Sequence, residues 1–237
     1  MKFKFFAAAL IFLSSCVAYY PQTVDIPLIK KKGDIRIDAG YFLVPNLNGS
    51  ENDNVYGYEN IQFKKFADAG GHATFSSGVT DVLAVQAYAS VDGIIRYHLQ
   101  GALGLFKGFE NKTVIELYGG YGYGSGFWNE SFKIRDNYQL AFTQFNIGKS
   151  DQGRRHIDYG LGLKGGYLFC NFDNQENVST LHKKDGWIVE PSVFFRFGGS
   201  KVKFCTKVIF LWTNTIRKDY YYPINISLGV NIGLQSK

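Results

Sequence analysis

The chain has 237 residues, of which 46% are hydrophobic and 19% charged, with 27 glycines and 3 cysteines. That apolar content excludes wholesale disorder, and no apolar run reaches the roughly 18 to 20 residues of a membrane-spanning helix. The net charge of +6 is modest and spread along the chain, which gives no support to nucleic-acid binding.

At the start, Lys2 and Lys4 precede an unbroken apolar stretch from Phe5 to Leu13, the charged and apolar regions of a secretory signal. Leu13-Ser14-Ser15-Cys16 then matches the bacterial lipobox, a leucine and two small residues before a cysteine whose thiol takes a diacylglycerol. Residues 1–15 are expected to be a lipoprotein signal peptide, and Cys16 the lipidated, palmitate-bearing first residue of the mature chain. Residues 16–33 read as a lipidated periplasmic tether. Pro21 and Pro27 hold it extended, and Lys30, Lys31 and Lys32 at its end suit anionic head groups or simple solvation.

Over residues 34–237 the dominant period is two, the mark of β-strands. Ile35, Ile37, Ala39, Tyr41 and Leu43 oppose Arg36, Asp38 and Gly40. The segment 70–79 alternates more weakly. Leu83 to Val91, Ile115 to Tyr123 and Ile157 to Lys164 repeat the pattern, as do Trp187 to Phe197 and Val202 to Trp212. Tyr138 to Gly148 shifts phase near Thr143 and Gln144, which predicts a bulge. The last strand is the clearest: Ile224, Ile226, Leu228, Val230, Ile232 and Leu234 alternate with Asn225, Ser227, Gly229, Asn231, Gly233 and Gln235.

The polar face is rich in Gly, Ser and Asn with few charges, whereas a soluble barrel or sandwich would carry Lys, Glu and Thr there. A small-residue interior and an aliphatic exterior are the transmembrane β-barrel pattern. Joins alternate between short (80–81, 110–111, 151–153, 199–200) and longer (44–69, 92–97, 125–137, 170–186, 213–223), as periplasmic turns and extracellular loops do. The expectation is an all-β, closed, antiparallel up-and-down transmembrane β-barrel of about ten strands with a polar filled interior. Both chain ends fall on the periplasmic side, the side a lipid in the inner leaflet of the outer membrane would need. Tyr41, Tyr97, Tyr123, Phe127, Tyr167, Phe169, Trp187, Trp212 and Tyr222 are expected near the loop ends, and Phe109, Phe197 and Phe204 near the turn ends. Together they would form two interfacial girdles.

With Cys16, the stretch Pro27-Leu28 leading to Lys32-Gly33-Asp34, and the run Glu116-Leu117-Tyr118-Gly119-Gly120-Tyr121-Gly122-Tyr123-Gly124, the chain resembles the small outer-membrane β-barrel lipoproteins of Bacteroidetes-type bacteria. The resemblance runs along most of the mature chain and implies fold and location, not an activity. Lipoproteins sent to the cell surface in such bacteria typically carry an acidic stretch after the cysteine. Val17-Ala18-Tyr19-Tyr20 stands there instead, which favours a periplasmic tether.

No catalytic, cofactor-binding or metal-binding constellation emerges. Cys16, Cys170 and Cys205 lack paired spacing for zinc, and Cys170 and Cys205 are expected at opposite strand ends as free thiols. The glycines of 119–126 lack the following helix of a phosphate loop. His72, His98 and His182 are expected near the extracellular rim with Glu51, Asp53, Glu59, Asp92 and Asp185, and His156 near the periplasmic end. Ten-stranded omptin proteases are similar in layout and use such rim groups, so a rim hydrolase or lipid A-modifying enzyme is the third alternative. Arg36, Asp38, Glu116, Asp158, Lys164, Glu190, Arg196, Lys203 and Lys207 should point inward and pair, because an unpaired buried charge is costly. Since barrels of about 8 strands are filled with side chains, a salt-bridged core is expected. The leading function is a non-enzymatic structural or interaction component of the envelope, with membrane lipid and an envelope protein as partners and no cofactor. A narrow solute channel is the second reading.

Overall fold

The computed structural model describes residues 22, 25–45, 67–92, 96–127, 135–150, 156–173, 185–214 and 223–234. Each element among them is a strand. In chain order these are β1 (Ile35–Pro45), β2 (Ala67–Gly78), β3 (Leu83–Asp92), β4 (Arg96–Gly108), β5 (Thr113–Phe127) and β6 (Arg135–Ser150). After them come β7 (Asp158–Asp173), β8 (Gly186–Gly198), β9 (Val202–Phe210), β10 (Trp212–Thr213) and β11 (Ile224–Leu234). β9 and β10 form one stave interrupted at Leu211, so the barrel has ten staves.

Neighbouring strands in sequence pair antiparallel, β1 pairs with β11, and β11 pairs with β9, which pairs with β8. The sheet therefore closes on itself and leaves no free edge, the liability of an open sheet. Along β1 the exposed residues Ile37, Tyr41 and Leu43 alternate with the buried Arg36, Asp38 and Phe42. The same phase holds on β11, where Leu228 is 61% exposed while Asn225, Ser227 and Asn231 are buried. The aliphatic stripes thus face outward.

The ends carry aromatic rings. Tyr167, Phe169, Trp187 and Trp212 are exposed toward one end, with Tyr97 and Tyr123 in contact there, while Phe109, Phe197 and Phe204 are exposed toward the other. Tyr41, expected with the first group, is exposed nearer mid-strand, opposite Leu228. The side chain of Phe127, and Tyr222, lie outside the described residues.

β6 departs from the sequence expectation. Its register runs without a skipped residue against both β5 and β7, through Thr143↔Gly119 and Gln144↔Lys164, so there is no bulge. The apparent phase shift has a different cause. Leu140 and Phe142 are apolar yet point inward, where they join Tyr118, Tyr138, Leu168 and Ile188 in a buried cluster. The side-chain polarity inverts along the strand while the backbone alternation does not.

Turns at 79–82, 109–112 and 199–201 close one end, hereafter the turn end, where β1 begins and β11 finishes. The other end, the loop end, receives 46–66, 128–134, 174–185 and 214–223. The join 93–95, expected among the longer loops, is instead short and also lies there.

The N-terminal segment is where structure and expectation part most. The described part of 16–33 is no solvated tether: Gln22, Asp25, Ile26, Leu28 and Ile29 are all buried inside the barrel. At the turn end the chain reverses through Gly33, in the left-handed region at φ 79°, and enters β1. The Gly33 and Asp34 backbone N–H groups donate to the Gly78 and Lys31 carbonyls at 2.8 and 3.2 Å, which fixes that reversal.

Candidate functional site

The lumen is built from the small, polar face of the strands and is occupied by the chain's own N-terminal segment. From the turn end upward, Lys30 Nζ donates to the Ser150 carbonyl at 3.2 Å, and the Ile29 N–H to Glu116 Oε1 at 2.8 Å. Gln86 and Gln144 both donate to the Asp25 carbonyl, at 3.3 and 2.7 Å, and Arg196 donates to the Ile26 carbonyl at 2.7 Å. Ser76 Oγ donates to Asp25 Oδ2 at 2.9 Å, while Arg196 and Lys207 stand 3.6 and 3.7 Å from Asp25 Oδ1. Highest of the described residues, the Gln22 N–H donates to Glu190 Oε1 at 3.2 Å, and Tyr88 and Ser90 donate to Gln22 Oε1 at 3.2 and 3.0 Å.

Among the described residues of this segment, Gln22 and Asp25 to Ile29 join no strand ladder. Pro27 supplies no N–H, and Leu28 adopts φ 56°, a left-handed backbone uncommon for a non-glycine residue. Side chains of the wall satisfy its backbone in place of a ladder, as buried peptide groups require. Its apolar side chains fill space left by glycine. A Cβ on Gly162 would sit 2.8 Å from Ile26 Cδ1, and one on Gly148 would sit 2.8 Å from Leu28 Cδ2. Gly148 and Gly162 are thus counterparts of the plug, whereas Gly104, Gly120 and Gly124 make room for the inward rings of Tyr118, Phe142 and Tyr138.

All nine inward charges expected from sequence are buried. Lys207 Nζ donates to Asp38 Oδ1 at 2.8 Å, Lys203 Nζ to Asp158 Oδ1 at 2.7 Å, and Lys164 Nζ stands 2.7 Å from Glu190 Oε2. Asn146 Nδ2 donates to Glu116 Oε2 at 3.0 Å. Arg196 is divided between Asp25, the Ile26 carbonyl and the Phe194 ring, which lies 4.6 Å away. Arg36 is buried at the turn end. Six of the nine (Asp38, Glu116, Lys164, Glu190, Arg196 and Lys207) face plug residues or hold a residue that does.

His72 and His98, expected at the rim, both point into the lumen, His98 from the loop-side end of β4. His72 Nε2 lies 3.1 Å from Asp38 Oδ1, deep in the lumen, and His98 Nδ1 lies 2.7 Å from Tyr138 Oη. His72, Tyr88, His98 and Tyr138 form a run of rings along the wall at successive centroid distances of 6.4, 5.9 and 5.4 Å. This ring ladder gave no sequence signal, because its members lie on four different strands and meet only through register. His156 lies at the turn side, with φ 44°. His182, Glu51, Asp53, Glu59 and the side chain of Asp92 lie outside the described residues. Among the described residues no cluster of three or more His, Cys, Asp or Glu could hold a metal. Cys205 is a buried free thiol, and the side chain of Cys170 is outside the described set.

Sequence reasoning missed the plug residues Gln22, Asp25, Ile26, Leu28 and Ile29. One signal was present: a solvated tether has no use for Ile26, Leu28 and Ile29 in close succession.

No family model and no curated protein sequence matches the chain. Among solved structures it is similar to the outer membrane protein OprG from Pseudomonas aeruginosa, at 14% identity and a TM-score of 0.42, over 90% of this chain and 100% of that one.

Proposed function

We propose that the chain is an outer-membrane lipoprotein with a structural or interaction role in the bacterial envelope, whose barrel is sealed by its own N-terminal segment. The observation that carries this reading is the burial of Gln22 and Asp25 to Ile29 inside the lumen, on hydrogen bonds and ion pairs from β2, β3, β5, β6, β8 and β9. A lumen occupied in this way is a support, not a conduit. The exposed aliphatic band and its aromatic ends suit an outer membrane, with lipid as the first partner and an envelope protein at the loops as the second. The reading includes no enzymatic step, and the inward, hydrogen-bonded positions of His72 and His98 support it over rim catalysis.

Lipidation at Cys16 belongs to the same proposal. Its thiol sulfur displaces the phosphate ester of a phosphoglyceride: a C–S bond forms, the C–O bond to glycerol phosphate breaks, and the thiol proton leaves with the phosphate. Hydrolysis of the Ser15–Cys16 peptide then frees the amine.

A narrow solute channel is the second reading. It is favoured by one feature, that the described plug residues are held by side chains and by no strand ladder. Planar-bilayer recording of the purified full-length protein separates the two. Electrical silence is the result expected for a sealed support, and steady currents from the intact chain would favour the channel.

A further inference from the structure

We infer that the mature N-terminus leaves the lumen at the loop end, so that the lipid on Cys16 anchors the protein in the outer leaflet, at the cell surface. This rests on the outer-membrane lipoprotein reading above and reverses the periplasmic anchor expected from the sequence.

The direction of the plug is read from its partners. Lys31 and Gly33 meet Gly78, the last residue of β2, at the turn end. Ile29 meets Glu116 near the start of β5, and Asp25 meets Gln86 and Gln144 farther along. Gln22 meets Ser90, two positions from the loop end of β3, and Glu190 in the loop-side half of β8. Read from Gly33 back to Gln22, the chain therefore climbs from the turn end toward the loops.

Residues 16–21 lie outside the described residues, but their reach is bounded. A fully extended chain covers about 3.3–3.6 Å per residue, so Cys16 lies within roughly 20 Å of Gln22. The lumen below Gln22 is taken by the plug itself. A return outside the wall would have to pass over the loop rim and then down an apolar band about 25 Å tall. The segment is too short for that. In outer-membrane barrels the loop end faces outward and the short turns face the periplasm. A diacylglyceryl group on Cys16 then reaches the outer leaflet and no other.

Membrane-impermeant maleimide labelling in cells tests this, in a background carrying Cys170→Ser and Cys205→Ser. Tyr19→Cys, with Val17→Cys as a second position, reports the mature N-terminus. Ser50→Cys reports the loop end and Ser236→Cys the turn end, and heat-modifiable migration confirms a folded barrel in each. The expected result is labelling of Tyr19→Cys and Val17→Cys on intact cells as strongly as Ser50→Cys. Ser236→Cys should label only after the outer membrane is opened. If the N-terminal positions behave like Ser236→Cys while Ser50→Cys labels on intact cells, the inference is overturned and the barrel reading stands. If Ser50→Cys is itself protected, the membrane orientation fails and takes the inference with it. Radiolabelled palmitate should enter the chain and be lost in Cys16→Ser; no incorporation would overturn the lipid anchor wherever the N-terminus emerges.

Discussion

At the scale of single residues, the interior is a problem in buried charge. Each ion taken from water costs several kcal/mol, and only close pairing with additional hydrogen bonds offsets it. Lys164 on β7 stands directly across the ladder from Glu190 on β8, 2.7 Å away, and both are fully enclosed. Lys164→Met should therefore leave the buried Glu190 carboxylate without its opposing ammonium, at a cost of about 3–5 kcal/mol. The double change Lys164→Met with Glu190→Leu should recover most of that loss, because it removes the buried carboxylate as well. Urea unfolding in detergent micelles measures both, and a double variant as weak as the single one would show that the buried carboxylate is not the source of the loss. Leu28 poses a backbone problem instead. Its left-handed φ of 56° strains any residue with a Cβ, by roughly 1–2 kcal/mol. Leu28→Gly should thus be no more destabilising than Leu28→Ala in the same assay, against the usual order in which glycine is the worse choice.

At the scale of elements, strands and plug were legible to very different degrees. A strand declares itself by period two, and the stripes from Ile35 to Leu43 and from Ile224 to Leu234 fix both where β1 and β11 lie and which face is outward. The inward charges followed from the same parity. The plug has no period, since its order comes from partners scattered over six strands. Pro27 and the lysines at 30–32 point equally well to a tether, and only the apolar Ile26, Leu28 and Ile29 argue against one. β6 was misread for a related reason: polarity stands in for direction only where the interior is polar, and around Tyr138, Leu140 and Phe142 it is apolar. The plug nevertheless left an imprint on the walls, in glycines opposite its apolar side chains. Gly162 is the informative one, because the three atoms nearest a Cβ there all belong to side chains, Ser192 Oγ at 2.6 Å, Ile26 Cδ1 at 2.8 Å and Asn146 Oδ1 at 3.2 Å. Gly162→Leu should displace the plug without breaking the ladder. The expected outcome is a barrel that retains heat-modifiable migration yet conducts in planar bilayers where the parent is silent. A folded, silent variant would mean that the plug yields locally and the seal does not depend on Ile26.

At the scale of the whole molecule, closure and embedding are one solution to one constraint. A bilayer offers no water to backbone groups, so strands can cross it only when each edge is paired, and the contacts of β11 with β1 and β9 complete that ring. The exterior can then be as apolar as the lipid, while the polar demands of the sequence are met inside by ion pairs and by the plug. Such an exterior has a property that a soluble barrel lacks: its tolerance for charge depends on depth. Leu228 sits at the middle of β11, opposite Tyr41 and Thr206, and Leu234 sits at its turn end opposite Ile35. Both are exposed, at 61% and 46%. In water the two positions would accept arginine about equally. In a membrane Leu228→Arg should cost about 2–4 kcal/mol and Leu234→Arg about 0–1, because only the first carries its charge to the bilayer midplane. Refolding into lipid vesicles, followed by heat-modifiable migration across a urea series, resolves that difference. Equal costs at the two positions would mean that the aliphatic band meets something other than acyl chains.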